Sequence, residues 1–381
     1  MPAPSTISAA SSEPPAPVAQ LRRRIAFFLP DMAGGGAERV QLAIIRHLVT
    51  AGHEVDLILA FDGGVLLPLV PPEVRVIPLR ARRLAGAMPG LIRYLRIEKP
   101  WSLQAIMWPC TVIAVAARLA ARSRARLVLS DHTFLTSHYT GRRTQRVLRA
   151  SMRLLYRLAD HRVAVSSGAA NDVARLAGLP PEAVEVIYNP IEVPDHIAPT
   201  AAATMAWGDA SPRIITVGSL KPEKNHSLLL RAFARLVEHH PAARLLILGE
   251  GQLRADLERQ RDALGLHEQV LLAGFKIDPW PYYAGADLFV LSSDYEGMSL
   301  VLVEALYAGL PVVSTDCEAG PAEILDDGLY GPLVPVGDAA ALSAAMMKTL
   351  AQPKNPERQK ARARQITGEQ NLRRYEALLA G

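Results

Sequence analysis

Cysteine is scarce in this 381-residue sequence, and long apolar runs are missing. Cys110 and Cys317 stand 207 positions apart, which excludes a disulfide-stapled secreted domain and a metal site built on closely spaced thiolates. The longest largely apolar stretch, 105–117, has 13 residues and contains Pro109, whereas a membrane-crossing helix needs about 20. We therefore expect a reducing compartment and no helix that spans a membrane.

Clustered carboxylates are missing as well. The sequence has no Asp-x-Asp pair and no Cys and His spacing typical of a divalent ion, so we expect neither a metal nor another cofactor. Nothing in it indicates a nucleic-acid partner. Residues 1–20 are rich in Ala, Pro and Ser, with no basic residue before an apolar core, which predicts a disordered tail and not a signal peptide.

Positive charge is concentrated in the first half of the chain. The whole sequence carries +5, but residues 19–160 hold 22 basic and 9 acidic side chains, a balance of +13, and the remainder carries −8. Half of the residues are apolar, and the length is sufficient for two cores. The sequence thus predicts two oppositely charged halves of one globular protein.

Short apolar, β-branched runs alternate with amphipathic stretches from Arg24 onward, a pattern typical of parallel sheets covered by helices. A helix is predicted at 37–50. A first series of strands is predicted at 25–29, 55–60, 74–77, 103–106, 127–130, 162–165 and 184–187. A second series is predicted at 214–217, 244–248, 270–272, 288–291 and 312–315.

The domain boundaries follow from these two series. After the tail at 1–20, we expect a first Rossmann-like domain at 21–190 and a Pro-, Ala- and Thr-rich linker at 191–211. A second Rossmann-like domain is expected at 212–360, followed by a helical tail at 361–381. The fold class is α/β, with two doubly wound parallel sheets.

A glycine-rich turn, Gly34-Gly35-Gly36, lies between the first predicted strand and its helix. Glycines let a ligand approach the backbone, and the N–H groups at a helix N-terminus suit a phosphate or a sugar hydroxyl. A tight turn without a ligand is the alternative. A dinucleotide fingerprint would place a further glycine where Arg39 stands, so the sequence disfavours a nicotinamide cofactor.

Two glutamates, Glu296 and Glu304, follow the apolar strand at 288–291. We expect both to lie on one helix, where their eight-residue spacing separates them by about 12 Å along its axis, too far to share one proton or metal. They would instead hold opposite ends of a long polar ligand, with the backbone amides of 297–300 facing its negative middle. The alternative is that Glu296 caps the helix and Glu304 lies on a solvated face.

Two lysines, Lys221 and Lys224, follow the strand at 214–217. Loops at the carboxyl end of a parallel sheet converge on the ligand crevice, so these side chains can reach a phosphate there. The alternative is that both are solvated surface lysines.

Together these residues resemble the retaining nucleotide-sugar glycosyltransferases of family four, which have the GT-B architecture of two Rossmann-like domains facing a cleft. The resemblance covers the chain from about residue 24. Its further landmarks are Ser166-Ser167-Gly168, Tyr188-Asn189-Pro190, Gly249-Glu250-Gly251 and Gly309-Leu310-Pro311-Val312-Val313.

The resemblance implies roles for individual residues. Glu296 would contact the donor sugar and Glu304 the nucleotide ribose, while Lys224 would bind the diphosphate. Ser219 stands where the family usually has an arginine, and Lys221 is the candidate replacement. The remaining implied site residues are His132 in the cleft, Gly35 and Gly36 of the glycine turn, and the diphosphate-binding amides of Gly297, Met298, Ser299 and Leu300.

The resemblance also implies an activity. We expect metal-independent, retaining transfer of a hexose or N-acetylhexosamine from a nucleotide diphosphate sugar to a saccharide acceptor. Residues 315–323 look most like members that use UDP-linked sugars, and the base pocket is expected near Gly274-Phe275-Lys276. The alternatives are a non-hydrolysing sugar-nucleotide epimerase and a catalytically silent protein that binds membrane surfaces.

A basic amphipathic stretch bears on the acceptor. This stretch contains Arg142, Arg143, Arg146, Arg149, Arg153 and Arg157, and its Val147, Leu148, Leu154, Leu155 and Leu158 leave an apolar face. A second basic cluster, which precedes it in the sequence, consists of Arg80, Arg82 and Arg83. Such a helix can lie in an anionic membrane interface. We expect a peripheral enzyme at the cytoplasmic face acting on a polyprenyl-diphosphate-linked saccharide; the alternative is a packed helix with a solvated arginine face.

Overall fold

The computed structural model describes residues 22–381, so the tail expected at 1–20 lies outside the described residues. Within that range the chain forms two parallel β-sheets, and each sheet buries an apolar cluster on both of its faces. In the first strand, Phe28 faces one cluster while Phe27 faces the other. Strands buried on both sides read as continuous apolar runs, which is why the sequence located them.

The first sheet contains seven of the described strands, ordered β3-β2-β1-β4-β5-β6-β7. Their bounds are β1 Arg24–Leu29, β2 Glu54–Leu59, β3 Arg75–Pro78, β4 Ser102–Ile106, β5 Arg126–Asp131, β6 His161–Ala164 and β7 Glu185–Val186. Its helices are α1 Gly36–Thr50, α2 Met88–Glu98, α3 Cys110–Ala121, α4 Leu135–His138, α5 Arg142–Leu155 and α6 Ser167–Ala177. Every prediction for this sheet falls within two residues of an observed strand.

The second sheet contains six described strands, ordered β10-β9-β8-β11-β12-β13. They are β8 Arg213–Val217, β9 Arg244–Leu248, β10 Val270–Gly274, β11 Leu288–Leu291, β12 Val312–Thr315 and β13 Leu333–Val334. The accompanying helices are α7 Ala201–Trp207, α8 His226–Val237, α9 Arg254–Ala263, α10 Trp280–Ala284, α11 Leu300–Tyr307, α12 Pro321–Leu325, α13 Ala339–Leu350, α14 Pro356–Ile366 and α15 Glu369–Ala380. The sequence did not predict β13, which is only two residues long.

The last helix, α15, returns to the first sheet. Its Tyr375 and Leu379 are fully buried in the cluster that contains Ile25 of β1. Its Glu376 accepts a 2.8 Å hydrogen bond from His47 of α1. We therefore call the first sheet with α1–α6 and α15 the first unit, and the second sheet with α7–α14 the second unit.

The two doubly wound parallel sheets confirm the predicted fold class. All strand pairs within both sheets are parallel, so the carboxyl ends of the strands in each sheet meet at one edge. Ligands of open α/β sheets bind beyond that edge. In residues 22–381, no helix is both long and apolar enough to cross a bilayer.

Candidate active site

Lys224 and Glu296 form an ion pair at the carboxyl edge of the second sheet. The Lys224 Nζ lies 2.7 Å from Glu296 Oε1 and 2.9 Å from Oε2, and Ser293 Oγ donates a 2.6 Å hydrogen bond to Oε1. Glu296 is 7% exposed, so its carboxylate is held almost out of solvent. Two of the residues identified from separate motifs are thus in direct contact.

The two glutamates do not share a helix. Helix α11 begins at Leu300, after the extended residue Ser299, and Glu296 lies in the preceding loop. A Cβ on Gly297 would lie 2.3 Å from the His132 carbonyl oxygen, so only glycine fits where this loop meets the first unit. The prediction that both glutamates project from one helix is therefore wrong, because Glu296 precedes the first residue of α11 by four positions.

Glu304 is buried on α11. It is 9% exposed, and Tyr283 of α10 donates a 3.0 Å hydrogen bond from its hydroxyl to Oε2. Burial raises the pKa of Glu304, while Tyr283 and the positive charge of Arg39 oppose that rise. Glu304 thus lies on no solvated face, and its carboxylate can accept hydrogen bonds from ligand hydroxyls.

The glycine turn of the first unit lies against the start of α11. A Cβ built on Gly36 would lie 3.0 Å from Leu300 Cδ1, so a larger residue would require the Leu300 side chain to shift. Gly35 precedes the first residue of α1 in extended conformation. The turn and the amides that precede α11 therefore face each other across the cleft.

Lys221 and Ser219 line the exit of β8. Lys221 is exposed, and its charge lowers the pKa of Glu38 and of His138, both in the first unit. Burial is the larger effect on both groups, raising the pKa of Glu38 and lowering that of His138. Ser219 is half-buried. Lys221 thus stands on the side of the loop that faces the first unit.

His132 follows β5 at the carboxyl edge of the first sheet and is partly buried. Its Nε2 lies 3.0 Å from Ser130 Oγ and 3.2 Å from Gln41 Nε2. Burial lowers the pKa of His132 to about 4, so the imidazole is neutral at physiological pH. A neutral imidazole at this position can exchange hydrogen bonds with a ligand hydroxyl but carries no charge to it.

Several hydrogen bonds join the units beside the Glu296 loop. Ser166 Oγ donates a 2.6 Å hydrogen bond to the Gly297 carbonyl. Glu323 of α12 accepts hydrogen bonds from Ser167 Oγ at 2.7 Å and from the Tyr188 hydroxyl at 2.6 Å. The landmarks around 166–168 and 188–190 therefore form an interface.

Sequence reasoning missed several residues that shape this site. Ser293 and Tyr283 hold the two glutamates, and Ser166 holds the loop between them. Ser293 could have been found, because it follows the predicted strand at 288–291 and precedes Glu296 by three positions. Tyr283 gave no such signal, since it lies on another element, and Ser166 was recognised only as part of the Ser166-Ser167-Gly168 landmark, without this role.

A cavity of about 140 Å³ lies between the units beside Glu304. Its walls include Arg39 and Val40 of α1, Trp280 of α10, and Leu300 of α11. In the part of the chain that the structure describes, no group of three or more His, Cys, Asp and Glu side chains is placed to hold a metal ion.

Two family models match this chain. The model described as "Glycosyltransferase Family 4" matches residues 34–193, and the model described as "Glycosyl transferases group 1" matches residues 203–366. The two matches cover the elements that carry the glycine turn, Lys224, Glu296 and Glu304.

Several characterised proteins are similar in sequence or structure. A Campylobacter jejuni enzyme, the N-acetylgalactosamine-N,N'-diacetylbacillosaminyl-diphospho-undecaprenol 4-alpha-N-acetylgalactosaminyltransferase, is 31% identical over 82% of this chain and 86% of its own. The amylovoran biosynthesis glycosyltransferase of Erwinia amylovora is 26% identical over 78% of this chain and 81% of its own. The Anabaena protein HepE in complex with UDP and glucose has a TM-score of 0.78 at 21% identity, covering 93% of this chain and 98% of that one.

Proposed function

The chain belongs to glycosyltransferase family 4, and from this premise we propose that it transfers a hexose or N-acetylhexosamine from a UDP-sugar to a lipid-linked saccharide with retention of the anomeric configuration. The observation that carries the proposal is the Lys224–Glu296 pair, located beside the first turn of α11 and opposite the glycine turn. A cation, a carboxylate and the backbone amides before α11 therefore lie around one cleft. The first unit, expected at 21–190, forms the acceptor side, and the second unit, expected at 212–360, forms the donor side; α7 of the second unit lies within the stretch expected as a linker at 191–211.

The leaving diphosphate is the group that this arrangement suits. Its charge grows as the bond to the sugar breaks, and preorganised donors stabilise that charge most effectively. Lys224 supplies one cation, and the amides of Gly297, Met298, Ser299 and Leu300 supply N–H groups at a helix N-terminus. Gly35 and Gly36 approach from the other unit. With these donors in place, the chemistry needs no divalent ion.

The two glutamates then bind neutral parts of the donor. Glu296 accepts hydrogen bonds from the hydroxyls of the reacting sugar, and Glu304 from the ribose hydroxyls. Lys224 stays beside Glu296 while it contacts the phosphate, so the pair orients the sugar and the leaving group together. His132, neutral and at the cleft, contacts the sugar from the acceptor side.

Retention is implied by the resemblance to the retaining family, and among the described residues we assign no nucleophile for a double displacement. We propose that the acceptor hydroxyl attacks from the face that the diphosphate leaves. The departing phosphate oxygen then takes the proton of that hydroxyl, so the new glycosidic bond forms on the same face as the one that breaks. The side chains bind and orient; they exchange no covalent bond with the sugar.

Donor and acceptor are proposed from two kinds of support. The Anabaena structure holds UDP and glucose, which favours a UDP-linked donor. The name of the Campylobacter jejuni relative gives a diphospho-undecaprenol-linked saccharide as its substrate, and the Erwinia amylovora relative takes part in amylovoran biosynthesis. We therefore place this chain in polysaccharide or glycoconjugate biosynthesis.

The surface of α5 supports action at a membrane. Val147 and Leu154 are 58% and 69% exposed, and Leu158, just beyond the helix, is 44% exposed. The six arginines of this stretch are exposed too: Arg142, Arg143, Arg146, Arg149, Arg153 and Arg157. Only Leu148 and Met152 of α5 are buried. Exposed apolar groups among cations suit an anionic membrane interface, so we propose peripheral binding at the cytoplasmic face.

A donor panel tests the proposal. The protein is incubated with UDP-, GDP- and ADP-linked hexoses and with UDP-linked N-acetylhexosamines, and release of the nucleoside diphosphate is followed. Release from a UDP-sugar, increased by a polyprenyl-diphosphate-linked saccharide and followed by an NMR assignment of the product anomer as unchanged, supports it. Interconversion of the sugar without net release would indicate the epimerase alternative. No turnover of any donor, together with vesicle binding, would indicate the silent membrane-surface protein.

A further inference from the structure

Arg39, on the first turn of α1, reaches from the first unit to the second. Its Nη2 donates a 2.9 Å hydrogen bond to the Ile277 carbonyl and lies 3.5 Å from the Lys276 carbonyl. Its guanidinium lies 5.9 Å from the centre of the Phe275 ring. One side chain of the first unit thus contacts three successive residues of the loop that follows β10.

The position of that loop links Arg39 to the donor site. Residues 274–276 are where the base pocket is expected, and Arg39 also lies in the wall of the cavity that reaches Glu304. Arg39 is only three residues after Gly36, so the side chain that holds the loop belongs to the same turn of chain that faces Leu300. Moving one of these contacts therefore moves the other.

We infer that Arg39 is a donor-positioning residue contributed by the first unit, which holds the 275–277 loop in place for the nucleoside and seats the glycine turn over the diphosphate. This inference rests on the proposed function. It means that the acceptor-side unit contributes to the affinity for the donor. It also means that nucleoside binding and contact between the units stabilise each other, because linked equilibria are reciprocal.

Arg39 acts on binding and not on the reacting atoms. The hydrogen bonds of the described Lys224 and Glu296 side chains go to each other and to Ser293, with none to Arg39. Losing Arg39 leaves the 276 and 277 carbonyls without their cationic donor and frees the loop. The free-energy cost of ordering that loop then weakens donor binding, but it does not lower the rate once donor saturates the enzyme.

The experiment compares Arg39→Ala, Arg39→Lys and a matched control in the full chain. Arg126→Ala is the control, because Arg126 also lies 5.9 Å from an aromatic ring, that of Trp101, and donates to a distant carbonyl, that of Leu378, at 3.3 Å. It sits at the start of β5, at the end of the strand opposite the cleft. Titration calorimetry with UDP, GDP and ADP gives Kd, steady-state assays give kcat and donor KM, and thermal unfolding reports stability.

Arg39→Ala is expected to raise the Kd for the nucleotide that binds wild type about tenfold, since hydrogen bonds to charged groups contribute on that scale. Donor KM should rise with it, while kcat at saturating donor stays within about twofold. Arg39→Lys should recover part of the affinity, because an ammonium can donate to the same carbonyls. Arg126→Ala should bind like wild type.

Equal Kd for wild type and Arg39→Ala would overturn the inference alone. Equal weakening by Arg126→Ala would do the same, because it would mean that lost stability and not lost contact is responsible. A fall in kcat at unchanged Kd would also contradict it. If wild type binds none of the three nucleotides, the proposed function and the inference are both wrong.

Discussion

Lys224 Nζ lies within hydrogen-bond distance of both carboxylate oxygens of Glu296, at 2.7 and 2.9 Å. The cation proposed for the diphosphate is therefore held by the carboxylate proposed for the sugar. This charge-assisted contact places the lysine nitrogen beside the carboxylate before any ligand arrives. Neither group needs to be recruited from solvent when the donor binds, so the site is organised in advance.

Replacing Lys224 by alanine is expected to lower kcat roughly a hundredfold, on the order of 3 kcal/mol, because a direct contact to the developing phosphate charge is lost. Lys221→Ala should slow transfer less, since Lys221 is exposed. Lys354→Ala is the control, as Lys354 pairs with Asp287 at 2.6 Å elsewhere in the second unit. A larger effect of Lys221→Ala than of Lys224→Ala, measured in steady-state assays, would reverse the assignment.

Replacing Glu304 and replacing Glu296 should have different kinetic effects. Glu304→Ala is expected to weaken donor binding, since a ribose contact is made equally in the ground state and the transition state. Glu296→Ala should mainly lower turnover, because it contacts the sugar that reacts and orients Lys224. Donor Kd and kcat are measured for each variant, with the exposed Glu357→Ala as the control. Normal affinity and normal rate in both variants would contradict the site assignment.

Transfer should persist in EDTA. Lys224 and the amides at the start of α11 supply the charge stabilisation that a divalent ion would otherwise provide. The assay compares initial rates before and after exhaustive chelation. Complete loss of transfer that is restored by magnesium or manganese would refute the metal-independent mechanism.

His226, the buried first residue of α8, should make the protein less stable in acid. Burial lowers its pKa to about 4, against about 6.5 in the unfolded chain. Between those values the unfolded state binds more protons, so the free energy of unfolding falls as the pH falls. Wild type should lose about 2 kcal/mol by pH 5 relative to His226→Gln, measured by urea unfolding. Parallel pH profiles for the two proteins would show that His226 makes no such contribution.

Vesicle flotation tests the α5 surface. Binding is expected to require anionic lipid, to weaken with salt, and to fall when Arg142, Arg143 and Arg146 become glutamate, because each cation contributes roughly 1 kcal/mol near an anionic surface. A charge-matched control changes three exposed cations of the second unit to glutamate: Arg231, Arg235 and Lys348. Equal recovery with neutral and anionic vesicles, or equal loss in both triple variants, would contradict the proposal.

The sequence predicted most of the fold because buried parallel strands leave a strong local signal. The run at 288–291, for example, is apolar at every position and corresponds to β11. The signal fails where contacts are not local. The bond between Tyr283 and Glu304 depends on how α10 lies relative to α11, and the need for glycine at position 297 depends on a carbonyl oxygen from the other unit.

Arg39 illustrates the same limit within a recognised motif. In the sequence, Arg39 was informative only because a dinucleotide fingerprint would have glycine at that position. In the structure, its side chain reaches across the cleft to Ile277. No spacing rule relates positions 39 and 277, because only the three-dimensional arrangement of the units brings them together. Motifs therefore located the parts of the site, while the structure was needed to find what joins them.

The return of α15 to the first sheet has a consequence for how the protein is made. Tyr375 and Leu379 complete the cluster around Ile25, yet the ribosome synthesises them after all of the second sheet. The first unit cannot finish its core while its last helix is still unmade, although domains generally begin to fold as they emerge. That core can therefore close only after the whole second sheet has been translated.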